Sequence, residues 1–144
     1  MKLQQLSLFL ENKPGALRAP LDTLAEAGID LLTMSLADTA SFGILRFIVR
    51  DPELARKVLE EAGMVAKVTD VIAVEVENRP GGLAHVLDII EVAGLGVEYM
   101  YDFGAASRPG KSAIVFRFEN PDAALNALRE GRVRVMTAEE LLRD

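Results

Sequence analysis

The stretch that most constrains this chain is written twice: ENKPGAL runs from Glu11 to Leu17, and ENRPGGL from Glu77 to Leu83. Asn12 and Asn78 stand 66 residues apart, and the same spacing sets Leu21 on Leu87, Asp22 on Asp88, Ala27 on Ala93, Gly28 on Gly94 and Met34 on Met100. So many coincidences in one register mark an internal repeat. Upstream, Leu6, Leu8 and Leu10 fall on Ile72, Val74 and Val76, with the period of two expected of a half-buried strand. Downstream, Asp51-Pro52 matches Asn120-Pro121 at a spacing of 69, so the second copy carries three more residues, placed in Ser107 to Lys111 as a longer hairpin loop.

Both copies share one coarse order. A strand ends at Asn12 or Asn78, and a helix is expected over Pro14 to Ala27 or Pro80 to Ala93, with Pro in the first turn and Gly28 or Gly94 as the stop. The buried stripe is read as Leu17, Leu21, Leu24 and Ala25, mirrored by Leu83, Leu87 and Ile90. Two strands follow, Ile29 to Ala37 and Gly43 to Arg50, with counterparts Leu95 to Phe103 and Ser112 to Glu119. A second helix, Pro52 to Ala62 or Pro121 to Glu130, leads to a short strand, Val65 to Val68 or Val133 to Met136. The order is βαββαβ, twice. Right-handed crossovers place both helices of a unit on one face of an antiparallel sheet, so the expected fold class is α+β with two ferredoxin-like units, residues 1–69 and 70–144. The units abut near Thr69-Asp70 with no Gly/Ser/Pro linker.

The topology hosts many functions, so composition has to exclude some of them. With 50% hydrophobic residues in 144, the chain has enough apolar side chain for a core, and no apolar run reaches the roughly 20 residues of a membrane span. The start, MKLQQLSLFLEN, alternates where a signal peptide would be continuously apolar, so a cytoplasmic location without membrane attachment is expected. A formal charge of −6 speaks against a nucleic-acid partner, and the strand GILRFIV lacks the aromatic-bearing signature of an RNA-recognition module. There is no cysteine, which removes thiolate metal sites, disulfides and cysteine nucleophiles together. The lone histidine, His85, lies within the expected helix of the second copy and reads as a surface helix residue. No catalytic, metal-binding or cofactor-binding cluster is visible, and no enzyme activity is expected.

The repeated turn itself has chemistry to offer. After Pro14, which lacks an N–H, the donors of Gly15, Ala16 and Leu17 would converge at a helix N-terminus, a seat for a carboxylate. The second copy offers Gly81, Gly82 and Leu83, more open because Gly82 replaces Ala16.

The segments LSLFLENKPGALRAPLDTLAEAGIDL and IAVEVENRPGGLAHVLDIIEVAGLGV together resemble the ACT domain family, whose strand, Asn-x-Pro-Gly-x-Leu turn, helix and Ala-Gly-Ile/Leu restart they follow in register. The likeness covers essentially the whole chain as two consecutive units. It implies a non-catalytic regulatory protein that binds an amino acid or related metabolite where ACT units meet, as a homodimer, and modulates an enzyme or transport system of amino-acid metabolism. By resemblance to serine-sensing members, the turn Asn and the residue after the Gly-Ile/Val restart contact the ligand: Asn12 and Asp30 in the first unit, Asn78 and Gly96 in the second. Two residues before the Asn, where the family often has a polar group, this chain has Leu10 and Val76.

Tyr99, Tyr101 and Phe103 share one strand face where the first unit has Thr33, Ser35 and Ala37. They suit packing between units or chains, or a platform for the ligand. Met34 and Met100, on the other face, read as core or adaptable filler and not as binding determinants. The segment Ala37 to Gly43 reads as a hairpin connection, with Asp38 a further ammonium acceptor if it instead closes over the first site. Two rival classes stand beside the sensor: a scaffold subunit whose paired turns only start helices, and a small enzyme using His85 or Asp102.

Overall fold

The structure, a computed structural model, describes residues 1–38 and 40–142. Residues of the chain fall into two units by their contacts: Gln4–Thr69, and Met1–Leu3 together with Asp70–Asp144. The first three residues thus group with the later unit, where Lys2 Nζ lies 3.0 Å from Asp122 Oδ1.

The element order is β1 (Leu3–Glu11), α1 (Arg18–Glu26), β2 (Thr33–Asp38), β3 (Phe42–Ile48), α2 (Pro52–Glu61), β4 (Lys67–Glu77), α3 (Gly82–Val92), β5 (Val97–Asp102), β6 (Lys111–Phe118), α4 (Pro121–Glu130) and α5 (Ala138–Leu141), with a 3₁₀ turn over Gly104–Ala106. This is the βαββαβ order repeated, with ferredoxin-like antiparallel sheets. In the first unit β3 pairs with both β1 and β2; in the second, β6 pairs with both β4 and β5.

Two aligned residue pairs start helices by the same contact. Asp51 Oδ1 accepts from the Leu54 N–H at 3.1 Å, and Asn120 Oδ1 accepts from the Ala123 N–H at 3.1 Å. In each case Pro takes the first helical position, where its missing donor costs nothing. The first helix of each unit behaves differently. α1 begins at Arg18, later than expected, because Pro20 has no N–H to give a carbonyl four residues back and its ring would crowd that carbonyl. Val86 stands at the equivalent position of α3, which begins at Gly82. The buried stripe moves accordingly: Pro20 and Leu24 are buried in α1, and Gly82, Val86 and Ile90 in α3, while Ala25 is exposed and Leu17 is 37% exposed.

The first core packs Leu6, Leu8, Leu45 and Phe47 of the sheet under Leu24, Ala55 and Leu59 of the helices. The second packs Ile72, Val74, Phe116 and Phe118 under Val86, Ile90 and Leu128. At roughly 1.5–3 kcal/mol per large side chain fully buried, these layers hold helices too short to stand alone. Register settles which strand face meets them. Met34 lies level with Phe47 and thence Leu6, and Met100 with Phe116 and thence Ile72, so both methionines are on the helix side. They are nevertheless 51% and 42% exposed, so of the expected roles, core or adaptable filler, the buried one does not apply.

Two further expectations are revised. The strand expected at Val65 to Val68 and the one carrying Ile72 to Val76 are one continuous strand, β4, because no Gly or Pro interrupts the alternation between them. The strand expected at Val133 to Met136 shrinks to one bridge, Val74 to Val135, supported by bonds from Glu75 N–H to Arg134 O and from Met136 N–H to Ala73 O, both 2.9 Å. The chain then enters α5, closed by a reciprocal cap between Thr137 and Glu140.

Replacing either matched cap, Asp51→Ala or Asn120→Ala, is expected to cost about 1 kcal/mol. Denaturant unfolding should show a lowered midpoint with an unchanged slope in each variant.

Candidate functional site

Each repeated turn reverses the chain by the same backbone device. Gly15 has φ +88°, and the Ala16 N–H donates to Lys13 O at 3.3 Å. Gly81 has φ +86° and ψ −7°, and the Gly82 N–H donates to Arg79 O at 3.0 Å. Proline followed by a left-handed glycine with this bond is a type II turn. A Cβ at Gly15 or Gly81 would meet nothing within 4 Å, so torsion and not space demands glycine there. The Asn before each turn is held by its backbone: the Asn12 N–H donates to Ser41 O at 3.2 Å and the Asn78 N–H to Gly110 O at 3.0 Å.

This geometry engages two of the donors expected to seat a carboxylate. The Ala16 and Gly82 donors close the turns, so they are not turned toward a ligand. Nor is the second turn the more open of the two. A Cβ on Gly82 would lie 1.9 Å from the Glu77 carbonyl oxygen, so glycine is demanded there by space, and the chain folds back onto the end of β4. Ala16 already carries that Cβ in the first turn, where the chain makes a further two residues of turn before α1 begins.

In the first unit a cavity of about 360 Å³ opens beside the turn, lined by Leu10, Glu11, Asn12, Lys13, Leu17, Leu36, Ala37, Asp38 and Gly43. Of the expected site residues it gathers Asn12, Leu17 and Asp38. Asn12 Nδ2 donates to Asp38 Oδ1 at 3.1 Å, joining the end of β1 to the end of β2. Lys13 Nζ lies 3.1 Å from Glu11 Oε2, and Leu10, Leu17 and Leu36 supply apolar wall. The hairpin beyond Asp38 includes Thr39, which lies outside the described residues. Asp30 is not brought to this cavity. It precedes β2 whereas Asp38 ends it, and at roughly 3.3 Å per residue that puts about 25 Å between them.

The second unit does not repeat the arrangement. Asp38 is matched there by Gly104, so Asn78 has no equivalent carboxylate, and Leu83 packs against the core. Tyr99 and Tyr101 stack with ring centroids 6.5 Å apart on the face away from the helices, while Phe103 is buried. Gly96 accepts from the Glu119 N–H at 3.1 Å, at the far end of β5 from the turn.

A different cavity, of about 310 Å³, adjoins the second turn; its lining includes Arg79, Gly82, His85, Lys111, Arg132 and Arg134 beside Glu75 and Glu77. Sequence reasoning passed over all of these except Gly82 and His85. Lys111 is hydrogen-bonded to Glu77 and holds that carboxyl below the usual carboxylate range. Glu75 accepts two bonds from Arg108, at 2.8 and 2.7 Å, and one from Arg134 at 3.0 Å. Arg132 has φ +59°, at a helix end where the first unit has Gly63 with φ +83°. The two ends share their bonds: Met64 N–H to Leu59 O at 2.8 Å, and Val133 N–H to Leu128 O at 2.9 Å. A left-handed non-glycine costs about 1 kcal/mol, so Arg occupies a position built for Gly. The signal was present in the repeat alignment, which sets Arg132 on Gly63.

Among the described residues no group of His, Asp and Glu is placed to hold a metal ion, and no helix is long and apolar enough to cross a membrane. The ACT domain pair family matches residues 1–143. Protein BT0572 from Bacteroides thetaiotaomicron is 38% identical, with all of this chain and 98% of that one covered at a TM-score of 0.90. The regulatory subunits of aspartate kinase from Thermus thermophilus, in its ligand-free form, and from Thermus flavus share the fold at 18% and 19% identity. For these the coverage is 89% and 90% of this chain, and 91% and 92% of theirs, with a TM-score of 0.61 in both cases. No curated protein matches the chain.

The two turns should respond unequally to exchange of their fourth residue. Gly82→Ala is expected to cost roughly 2–3 kcal/mol, as its Cβ displaces the Glu77 carbonyl, whereas Ala16→Gly should cost under about 1 kcal/mol. Chemical denaturation of the two variants beside the parent protein measures both.

Proposed function

The chain belongs to the ACT domain pair family, and from that premise we propose that it is a non-enzymatic regulatory protein that binds a free amino acid in the cavity beside its first Pro-Gly turn. The observation that carries this reading is the bonded pair Asn12 and Asp38 at the rim of a cavity walled by Leu10, Leu17 and Leu36. Asp38 is an acceptor for an ammonium group, and Asn12 offers an amide able to donate to a carboxylate or accept from the ammonium. Lys13 adds a positive charge on the same rim. The leucines suit an apolar side chain, and the volume lies at the small end of the range for ligand pockets. An apolar α-amino acid is therefore the ligand class.

Regulation needs a partner. β2 and β5 each pair along one side within their unit and expose Met34, Leu36 and Met100, which suits association with a second copy through sheet edges. The assembly then modulates an enzyme of amino-acid metabolism in the cytoplasm, as a subunit comparable to the aspartate kinase regulatory subunits that share the fold. The aromatic pair Tyr99 and Tyr101, away from the helix face, belongs on this reading to packing and not to the ligand.

The test is thermal unfolding with each of the twenty amino acids, for the parent protein, Asn12→Ala and Asp38→Asn. Ligand at ~100 times its Kd adds about 2.7 kcal/mol, a rise of several degrees for a chain of this size. A selective rise for an apolar amino acid, lost in both variants, is expected. A flat panel, or a rise that both variants keep, defeats the proposal.

A further inference from the structure

The cavity beside the second turn has a chemistry that the first unit lacks at the same place in the fold. Glu75, Lys111, Arg132 and Arg134 line it, and the repeat sets them on Phe9, Phe42, Gly63 and Val65. The equivalence is structural as well as sequential: Lys111 pairs with Glu77 across β6 and β4 as Phe42 pairs with Glu11 across β3 and β1. Phe9, Phe42 and Val65 are 72%, 50% and 82% exposed, so one unit shows an apolar surface where the other gathers charge.

The charge is one-sided. Arg79, Lys111, Arg132 and Arg134 face the cavity against the two carboxylates of Glu75 and Glu77. Those carboxylates are already engaged, by Lys111 for Glu77 and by Arg134 and Arg108 for Glu75. Outside the lining, Arg108 also engages Glu75 and Glu140 engages Arg134, so the cationic excess rests on Arg79 and Arg132. The Arg132 side chain makes no hydrogen bond or ion pair among the described residues, while its backbone N–H donates to Arg129 O at 3.1 Å in a conformation that favours glycine. On a chain whose formal charge is −6, such a local excess marks an electrostatic destination.

We propose that this cavity binds a small anion carrying two or more negative charges, with the guanidinium groups of Arg132 and Arg79 as its principal donors. Guanidinium presents paired N–H groups that match phosphate and carboxylate oxygens alike, so phosphate-bearing and polycarboxylate metabolites share the required chemistry. The site is separate from the amino-acid cavity of the first unit and does not rest on it.

Inorganic pyrophosphate and citrate are suitable probes, with sodium chloride at matched ionic strength as the control, and the readout is the thermal midpoint and its concentration dependence. A rise of a few degrees at low millimolar concentration is expected with one or both probes, and which of them acts distinguishes phosphate from carboxylate. Arg132→Gly should raise the midpoint without anion, because glycine suits the backbone there, yet weaken the anion response at least tenfold. Arg79→Ala should weaken it similarly, and Asn12→Ala should leave it unchanged. No response beyond the chloride control, or a response that Arg132→Gly and Arg79→Ala both retain, overturns the proposal.

Discussion

Everything in each unit follows from a left-handed glycine at the end of its first strand. Gly15 and Gly81 let the chain reverse within four residues, and the bond closed across that reversal brings the following helix back over the sheet it has just left. Had the chain continued extended, the apolar faces of β1 and β4 would have had nothing to pack beneath. Proline ahead of each glycine removes conformations that the unfolded chain would otherwise sample, so the reversal is prepared before any tertiary contact forms. The Asn that precedes it is then pinned to the neighbouring hairpin by its backbone, which leaves its side chain to serve another purpose. In the first unit that purpose is the bond to Asp38.

Much of this could be read from the residues alone. The repeat register carried the βαββαβ order, because a period of two and a stripe at helical spacing recur at matched positions. The helices that open at Pro52 and Pro121 were anticipated because cap and proline act locally. What escaped was whatever depends on distance through space. Pro20 was a visible brake on α1, yet a favourable turn at Pro14 invited an earlier start. The strand face that meets the helices in the second unit is decided by pairing register, and β5 has both aromatic and apolar residues on offer. The cavity at Asn12 was legible in part, through Asn12, Leu17 and Asp38, whereas Asp30 was attached by family likeness to a turn at the other end of its unit. The cationic cavity was missed because its members come from three separate segments, and no local pattern unites Arg79, Lys111 and Arg132.

The two units have kept a common skeleton while parting in their chemistry. The first retains a paired amide and carboxylate among leucines. The second has Gly104 in place of that carboxylate, a longer hairpin before Lys111, and arginine on a helix end where the first has glycine. The ACT domain pair places two copies of one architecture in this chain, and their surfaces differ in chemistry. If both proposed sites bind, such a regulatory protein reports on two kinds of metabolite, one zwitterionic and one strongly anionic.

The close approach of Gly82 to the Glu77 carbonyl bears on how such a duplicated gene can change. While the halves of a tandem repeat remain interchangeable, recombination between them can copy sequence from one to the other and erase what each has acquired. A tract carrying the first turn into the second half would bring Ala16's methyl group to a place 1.9 Å from a backbone oxygen. The resulting protein would be destabilised by roughly 2–3 kcal/mol unless the helix start moved as well. A contact of atomic dimensions thereby weighs against such an exchange.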